Sequence, residues 1–331
     1  MSVPRDMNVA LMKTLATSMA ASETLRDIEP SVGNLLTLHT GKAEEWWPGE
    51  MLPRPYRPED AVRLSEMQRN AAGIPAAARA CIALNLVTEE GLPLFHQAVG
   101  EMLPRGANFW TWLHRWTAEE DRHAHVISTY TALTGILDEV QLDRMRFAYV
   151  RSGWEPGWDG DPYRVFVYTS LQERATQIAH TRTAALAGQY EETIGDFLRV
   201  VARDEARHFA FYRSVFAEIL ERDLDHALTS AVAVMPLMAM PGGSMPQYRD
   251  LAEVASRSGI YTLRDYRGIV QELLRFWKID LLNPRTELGQ RSQALLLGIP
   301  ERLTRIADRM EASRTARAFS FDVAFSQEFV L

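Results

Sequence analysis

The chain has 331 residues, 47% of them hydrophobic and 24% charged, with a formal net charge of −7. That is ample for one large core, and the acidic balance argues against a general nucleic-acid binder, which carries a basic excess. Its one cysteine, Cys81, excludes an intrachain disulfide, a thiolate-ligated iron–sulfur cluster and a cysteine-rich zinc site, and fits a reducing, cytoplasmic setting.

The first twenty residues are interrupted by Arg5, Asp6 and Lys13 and lack the apolar stretch of a secretory signal. They are mildly amphipathic, which leaves a transit peptide open and, for a plant source, a plastid location. Residues 25–38 read as helical. Pro48, Pro53, Pro55 and Pro58 then mark an extended or turning segment, and residues 61–68 read as a short helix.

Residues 75–102 read as one long helix, with Gly91 and Pro93 predicting a kink rather than an end. Residues 108–134 form a second long helix, 153–162 a loop, 163–187 a third helix and 191–222 a fourth. The remainder holds further helical patterns, clearest over 260–277 and 300–318, and the last dozen residues alternate as a small hairpin would. The best candidate span, residues 231–240, is about half the roughly 20 residues a membrane crossing needs and is broken by Pro236. Repeated long amphipathic helices predict an all-α bundle. It is read as a single domain, with its core at about 75–222, an N-terminal cap over 1–74 and C-terminal helices over 223–331.

Two boxes stand out. Glu119-Glu120-Asp121-Arg122-His123 and Asp204-Glu205-Ala206-Arg207-His208 both read acid, Glu, any residue, Arg, His. Glu at i and His at i+3 project from one helix face, so each box aims one carboxylate and one imidazole at a single point. A di-iron or di-manganese carboxylate site needs these four groups plus one Glu from each of two more helices. The third helix offers Glu173. The first offers Glu89 or Glu90, between which periodicity does not choose. One such pair alone is weak, because helix surfaces are full of Glu. Two matched copies among apolar neighbours are strong, and buried glutamates without a cation would be costly. Oxygen and imidazole donors suit iron or manganese. Glu119 and Asp204 are placed to accept from the far ring nitrogen of a ligating His, with Arg122 and Arg207 offsetting their charge. The alternative for these four is ordinary helix-surface salt bridges.

At these residues the sequence resembles the soluble acyl-carrier-protein desaturases, which are ferritin-like di-iron proteins. The likeness is carried by Leu86-Val87-Thr88-Glu89-Glu90-Gly91-Leu92-Pro93, by residues 115–123, by residues 168–176 and by residues 261–280. The resemblance favours Glu89 over Glu90. It implies six metal ligands, Glu89, Glu120, His123, Glu173, Glu205 and His208, holding two irons per chain. It gives Thr176 a part in steering oxygen chemistry; the plainer reading is a threonine bonded to its own helix backbone. Trp46 matches a residue on an electron route through Asp204 and His123; the plainer reading is packing. The implied partners are an acyl carrier protein bearing the substrate, a ferredoxin-type reductant and a second copy of the chain, with docking near Arg203, Arg207 and Arg249. Two departures stand out. The connection before Trp116 is short, and Ala206 replaces a lysine of the plant form.

The implied reaction uses dioxygen and two electrons to remove two hydrogens from neighbouring methylenes of a carrier-bound acyl chain, leaving a cis double bond. The nearest rival is a di-iron hydroxylase or N-oxygenase acting on another carrier-bound substrate. The radical subunit of ribonucleotide reductase would place a Tyr where Ile127 stands. An iron-storage ferritin would not need the hundred or so residues after Asp223.

Overall fold

The structure, a computed structural model, describes residues 19–236, 240 and 242–331. The leader reading of the first twenty residues falls almost wholly outside these, as does part of the 231–240 stretch. No single helix among the described residues is long and apolar enough to cross a membrane.

Among the described residues the fold is all-α apart from one short hairpin. In chain order the helices are α1 (19–27), α2 (Glu29–Lys42), α3 (Pro48–Met51), α4 (Ala61–Ala71), α5 (Ala76–Glu89), α6 (Leu92–Met102) and α7 (Ala107–Thr134). There follow α8 (Glu139–Ser152), α9 (Pro162–Ala187), α10 (Glu192–Arg222), α11 (Leu224–Val234), α12 (Tyr248–Arg257), α13 (Leu263–Phe276) and α14 (Glu287–Ala312). The predicted terminal hairpin forms: β1 (Ala318–Phe319) pairs antiparallel with β2 (Phe329–Val330).

Four helices make the centre. α5 packs on α7 and α9, and α10 packs on the same two. The starts are set locally. Asp161 caps α9 by accepting from Tyr163 N, and Glu191 caps α10 by accepting from Thr193 N and Ile194 N. α7 ends at Gly135, whose φ of 64° suits a residue without Cβ.

The apolar core falls into two parts. One holds Trp112, Trp116, Phe166, Tyr212 and Phe216; the other holds Ile82, Leu86, Val126, Tyr130, Phe197 and Val201. α7 and α9 run from the first into the second, while α10 runs back. Between them each helix contributes a band of buried polar side chains: Glu119, Glu120 and His123 from α7, Glu173 and His180 from α9, Asp204, Glu205 and His208 from α10, Asn85 and Glu89 from α5.

Three element readings need correction. Residues 75–102 are two helices, not one kinked helix. α5 ends at Glu89, and α6 restarts after Gly91 with Pro93 in its first turn, where a missing N–H costs nothing. Residues 25–38 are likewise interrupted at Ile28, just before Pro30, between α1 and α2. The last long helix begins well before Pro300, at the cap Thr286, and stops at Ala312; Pro300 lies inside it. α8 gave no clear sequence signal.

Candidate metal centre

The boxes place their side chains as helix geometry demands. Glu120 and His123 of α7 face Glu205 and His208 of α10, Glu89 enters from the last turn of α5, and Glu173 enters from the middle of α9. All six are buried, four of them with no exposed surface. Two overlapping sets of ligand atoms result: Glu89, Glu120, His123 and Glu205, and Glu120, Glu173, Glu205 and His208, each within 4.8 Å of one another. Glu120 and Glu205 belong to both, as bridging carboxylates would.

The two imidazoles turn Nδ1 inward. His208 Nδ1 lies 2.8 Å from Glu120 Oε1 and 3.5 Å from Glu173 Oε2. His123 Nδ1 lies 3.3 Å from Glu205 Oε1 and 3.5 Å from Glu120 Oε2. Yet both Nδ1 atoms, Glu120 Oε1, Glu173 Oε2 and Glu205 Oε1 are buried without a hydrogen-bond partner among the described residues. They crowd one another without donor–acceptor alignment, as atoms aimed at a shared cation do. Burial pushes the Glu89 carboxyl up to about 7 and drives Glu173 well above the usual range, the latter helped by the Glu120 charge. A cation at the centre relieves both causes. Four carboxylates and two imidazoles, with two carboxylates shared, therefore fit a pair of divalent iron or manganese ions.

The outward nitrogens are cross-braced. His123 Nε2, on α7, lies 3.4 Å from Asp204 Oδ2 of α10, and His208 Nε2, on α10, lies 2.9 Å from Glu119 Oε2 of α7. The acid that opens each box thus orients the histidine that closes the other. Asp204 also accepts from Trp46 Nε1 at 2.9 Å, Arg122 Nη2 at 3.2 Å and Arg207 Nη2 at 2.5 Å. Burial raises its pKa, but the His123 hydrogen bond and the Arg207 charge outweigh this and hold it at about 2. Glu119 is also held far below its ordinary range against burial, by hydrogen bonds from His208 and His39. These four box residues are buried or half-buried partners of the centre, not a solvated salt-bridge face.

Glu89 and Glu90 differ in their contacts. Glu89 points inward, with Oε1 2.8 Å from His180 Nε2. Glu90 turns away into a two-pronged pair with Arg146 of α8, at 2.5 and 2.7 Å. Trp46 does more than pack. Its ring lies parallel to His123 at 6.2 Å, and the Arg122 guanidinium sits 5.0 Å above it. Thr176 keeps its backbone contacts, to Gln172 O and Glu173 O, and also lies 2.8 Å from Glu205 Oε2. Of the three expected docking arginines, Arg203 and Arg249 are exposed. Arg207 is largely committed to Asp204, its side chain 14% exposed.

Sequence reasoning missed three partners. His180, two turns after Glu173 on the same face, carried a readable spacing. His39, whose Nε2 is 2.9 Å from Glu119 Oε2, did not. Trp116 was read as an apolar neighbour, but its Nε1 donates to Glu173 Oε1 at 3.2 Å.

A cleft reaches this layer along the α5–α9 groove beneath α12. It encloses about 630 Å³, its mouth included, between Cys81, Leu84, Ala179, Tyr248, Ala255 and Tyr261, and ends at Glu89 and Thr176. A second pocket shares Thr88, Glu89, Thr176 and Met240 with it and continues past Leu92 to Glu120 and Phe95. There Phe95 meets Trp116 and Trp154 edge-on at 5.3 and 5.0 Å.

Comparison with known proteins agrees in sequence and in fold. The chain is 33% identical over 291 residues to acyl-[acyl-carrier-protein] desaturase 3, chloroplastic, of Oryza sativa subsp. indica, covering 82% of this chain and 72% of that protein. It is 32% identical over 307 residues to stearoyl-[acyl-carrier-protein] 9-desaturase 1, chloroplastic, of the same subspecies, covering 88% and 81%. The X-ray structure of DesA2 from Mycobacterium tuberculosis H37Rv has the same fold, with a TM-score of 0.59 at 20% identity, over 82% of this chain and 99% of that one. A family description, "Fatty acid desaturase", matches residues 20–326. Over nearly all of its described length, then, the chain belongs to the fatty acid desaturase family.

Proposed function

We propose that this enzyme is an acyl-carrier-protein desaturase that uses dioxygen at a di-iron centre held by Glu89, Glu120, His123, Glu173, Glu205 and His208. The observation that carries the reading is the joining of two features: six buried ligand groups, five of them with an inward atom that lacks a partner among the described residues, and a mostly apolar cleft that ends at Glu89 and Thr176. Two irons bound there would supply the oxidising power of dioxygen that removes two hydrogens from adjacent methylenes, with two further electrons coming from a ferredoxin-type reductant.

The chain's own residues supply position and exclusion. Apolar walls on α5, α9 and α12 hold an extended alkyl chain and keep water out. Thr176 lies on the cleft wall and within hydrogen-bond distance of Glu205, so its hydroxyl sets that carboxylate's orientation beside the substrate. Trp46, Asp204 and His123 form a hydrogen-bonded line that runs from buried Trp46 to the centre and are proposed as the electron route. Exposed Arg203 and Arg249 are proposed contacts for the acidic carrier protein. The relatives named for desaturation of carrier-bound chains favour this outcome over hydroxylation or N-oxygenation.

The test is product analysis. Purified protein loaded with iron, given a reducing system, dioxygen and acyl-carrier-protein substrates, should yield a monounsaturated acyl chain. A hydroxylated or N-oxygenated product, with no alkene, would overturn the desaturase reading and leave the metal centre standing.

A further inference from the structure

We infer that His39, on α2 and outside the four-helix bundle, is a positioning residue for the metal centre: it holds Glu119, and Glu119 holds His208 with Nδ1 turned inward. The inference rests on the two-ion reading above and extends it to a residue from another part of the fold.

The two braces are built alike but closed differently. Asp204 is fixed by three donors, from Trp46, Arg122 and Arg207. Glu119 has a smaller set. Its Oε2 receives both His208 Nε2 and His39 Nε2 at 2.9 Å, and the Arg115 guanidinium lies 2.9 Å from Oε1. Arg115 is one turn away on the same helix and its side chain is 31% exposed. Apart from His208, the side chain that Glu119 orients, His39 is therefore the buried donor that ties Glu119 to a different helix.

His39 is itself held. It is 5% exposed, its ring meets Trp112 edge-on at 4.9 Å, and it stacks on His208 at 5.8 Å. Its Nε2 faces Glu119 Oε2, the acceptor in reach. α2 is pinned at its other end by Glu29, whose Oε1 accepts from Asn108 N at 3.0 Å while Asn108 Nδ2 donates to Glu29 O. Both ends of α2 are thereby fixed to α7, one at its first turn and one at its metal box.

A separate ion shared by His39, Glu119 and His208 is the competing reading, since their donor atoms also cluster. It would require His208 to bind metal through both ring nitrogens, which removes the N–H that Glu119 receives. Positioning keeps every proton placed.

Partners of metal-bound histidines change metal affinity by about 10–100-fold when removed. The experiment titrates metal-free protein with Co²⁺ and follows visible absorption and bound metal in wild type, His39→Leu and His39→Gln. Wild type should take two ions. His39→Leu should bind one as wild type does and the second roughly 10–100-fold more weakly. His39→Gln places an amide N–H near the Nε2 position and should bind both nearly as wild type. If His39→Leu does not fold, His39→Asn, whose amide is too short to reach Glu119, replaces it with the same expectation. Equal affinity for both ions in His39→Leu or His39→Asn would overturn the inference, as would a Gln variant as weak as either. A third ion in wild type that His39→Gln abolishes would favour the competing site. Wild type binding fewer than two ions would instead refute the two-ion reading itself.

Discussion

Replacing Gly91 with Ala should destabilise the protein, although backbone entropy alone predicts the opposite. A Cβ at Gly91 would lie 2.6 Å from both Cε1 and the hydroxyl oxygen of Tyr149 and 2.9 Å from Cζ, well inside the usual contact of about 3.5–4.0 Å. Tyr149 is 1% exposed, so the ring has no solvent to swing into. Gly91 has φ −72°, so Ala brings no backbone strain and gains about 0.4–1 kcal/mol by restricting the unfolded chain. Overpacking costs about 1–3 kcal/mol. The balance is a loss on the order of 1 kcal/mol, a fall of a few degrees in Tm for a chain of this size. Thermal and urea unfolding of Gly91→Ala, Tyr149→Leu and the double variant check it. The cost of Gly91→Ala should shrink in the Tyr149→Leu background, because the opposing ring atoms are gone. A Gly91→Ala protein melting at or above wild type, or an equal cost in both backgrounds, would refute the packing argument.

Glu89→Gln should lower bound iron below two per chain, whereas Glu90→Gln should leave it at two and cost only part of the Arg146 pair; metal analysis of both variants decides this. Thr176→Val keeps shape but loses the hydroxyl near Glu205, so iron content should hold while turnover falls by roughly tenfold or more; full activity would return Thr176 to a packing role. His226 joins the starts of α9 and α11 to the end of α10, facing Asp161, Asp223 and the Tyr163 ring. Burial lowers its pKa, but the hydrogen bonds it donates to the two aspartates raise it to about 9. A folded value above the unfolded one means stability is full below about pH 6.5 and is lost as pH rises through 9, on the order of 2 kcal/mol. Urea unfolding of wild type should show that decline and His226→Asn should lack it. Arg203→Glu should raise KM for acyl-carrier-protein, weaken the salt dependence of turnover and spare iron; an unchanged KM would move the docking face elsewhere.

The sequence by itself determined the bundle and most of the centre. Glu at i with His at i+3 is a local relation fixed by helical pitch, so two such boxes in long helices already imply paired ligands, and Glu173 follows from the third helix. The box acids were legible for the same reason. The sequence did not show where the long first helix breaks or which neighbouring Glu turns inward. That choice depends on α8, whose Arg146 draws Glu90 away and whose Tyr149 fills the space beside Gly91. Nor did it show His39, 80 positions from Glu119, or the Trp46 hydrogen bond to Asp204, 158 positions away. A helix face is written in a few neighbouring residues, whereas a contact between remote segments exists only once the chain has packed, so the residues of the buried Glu/His cluster were readable and the partners that orient them were decided by tertiary structure.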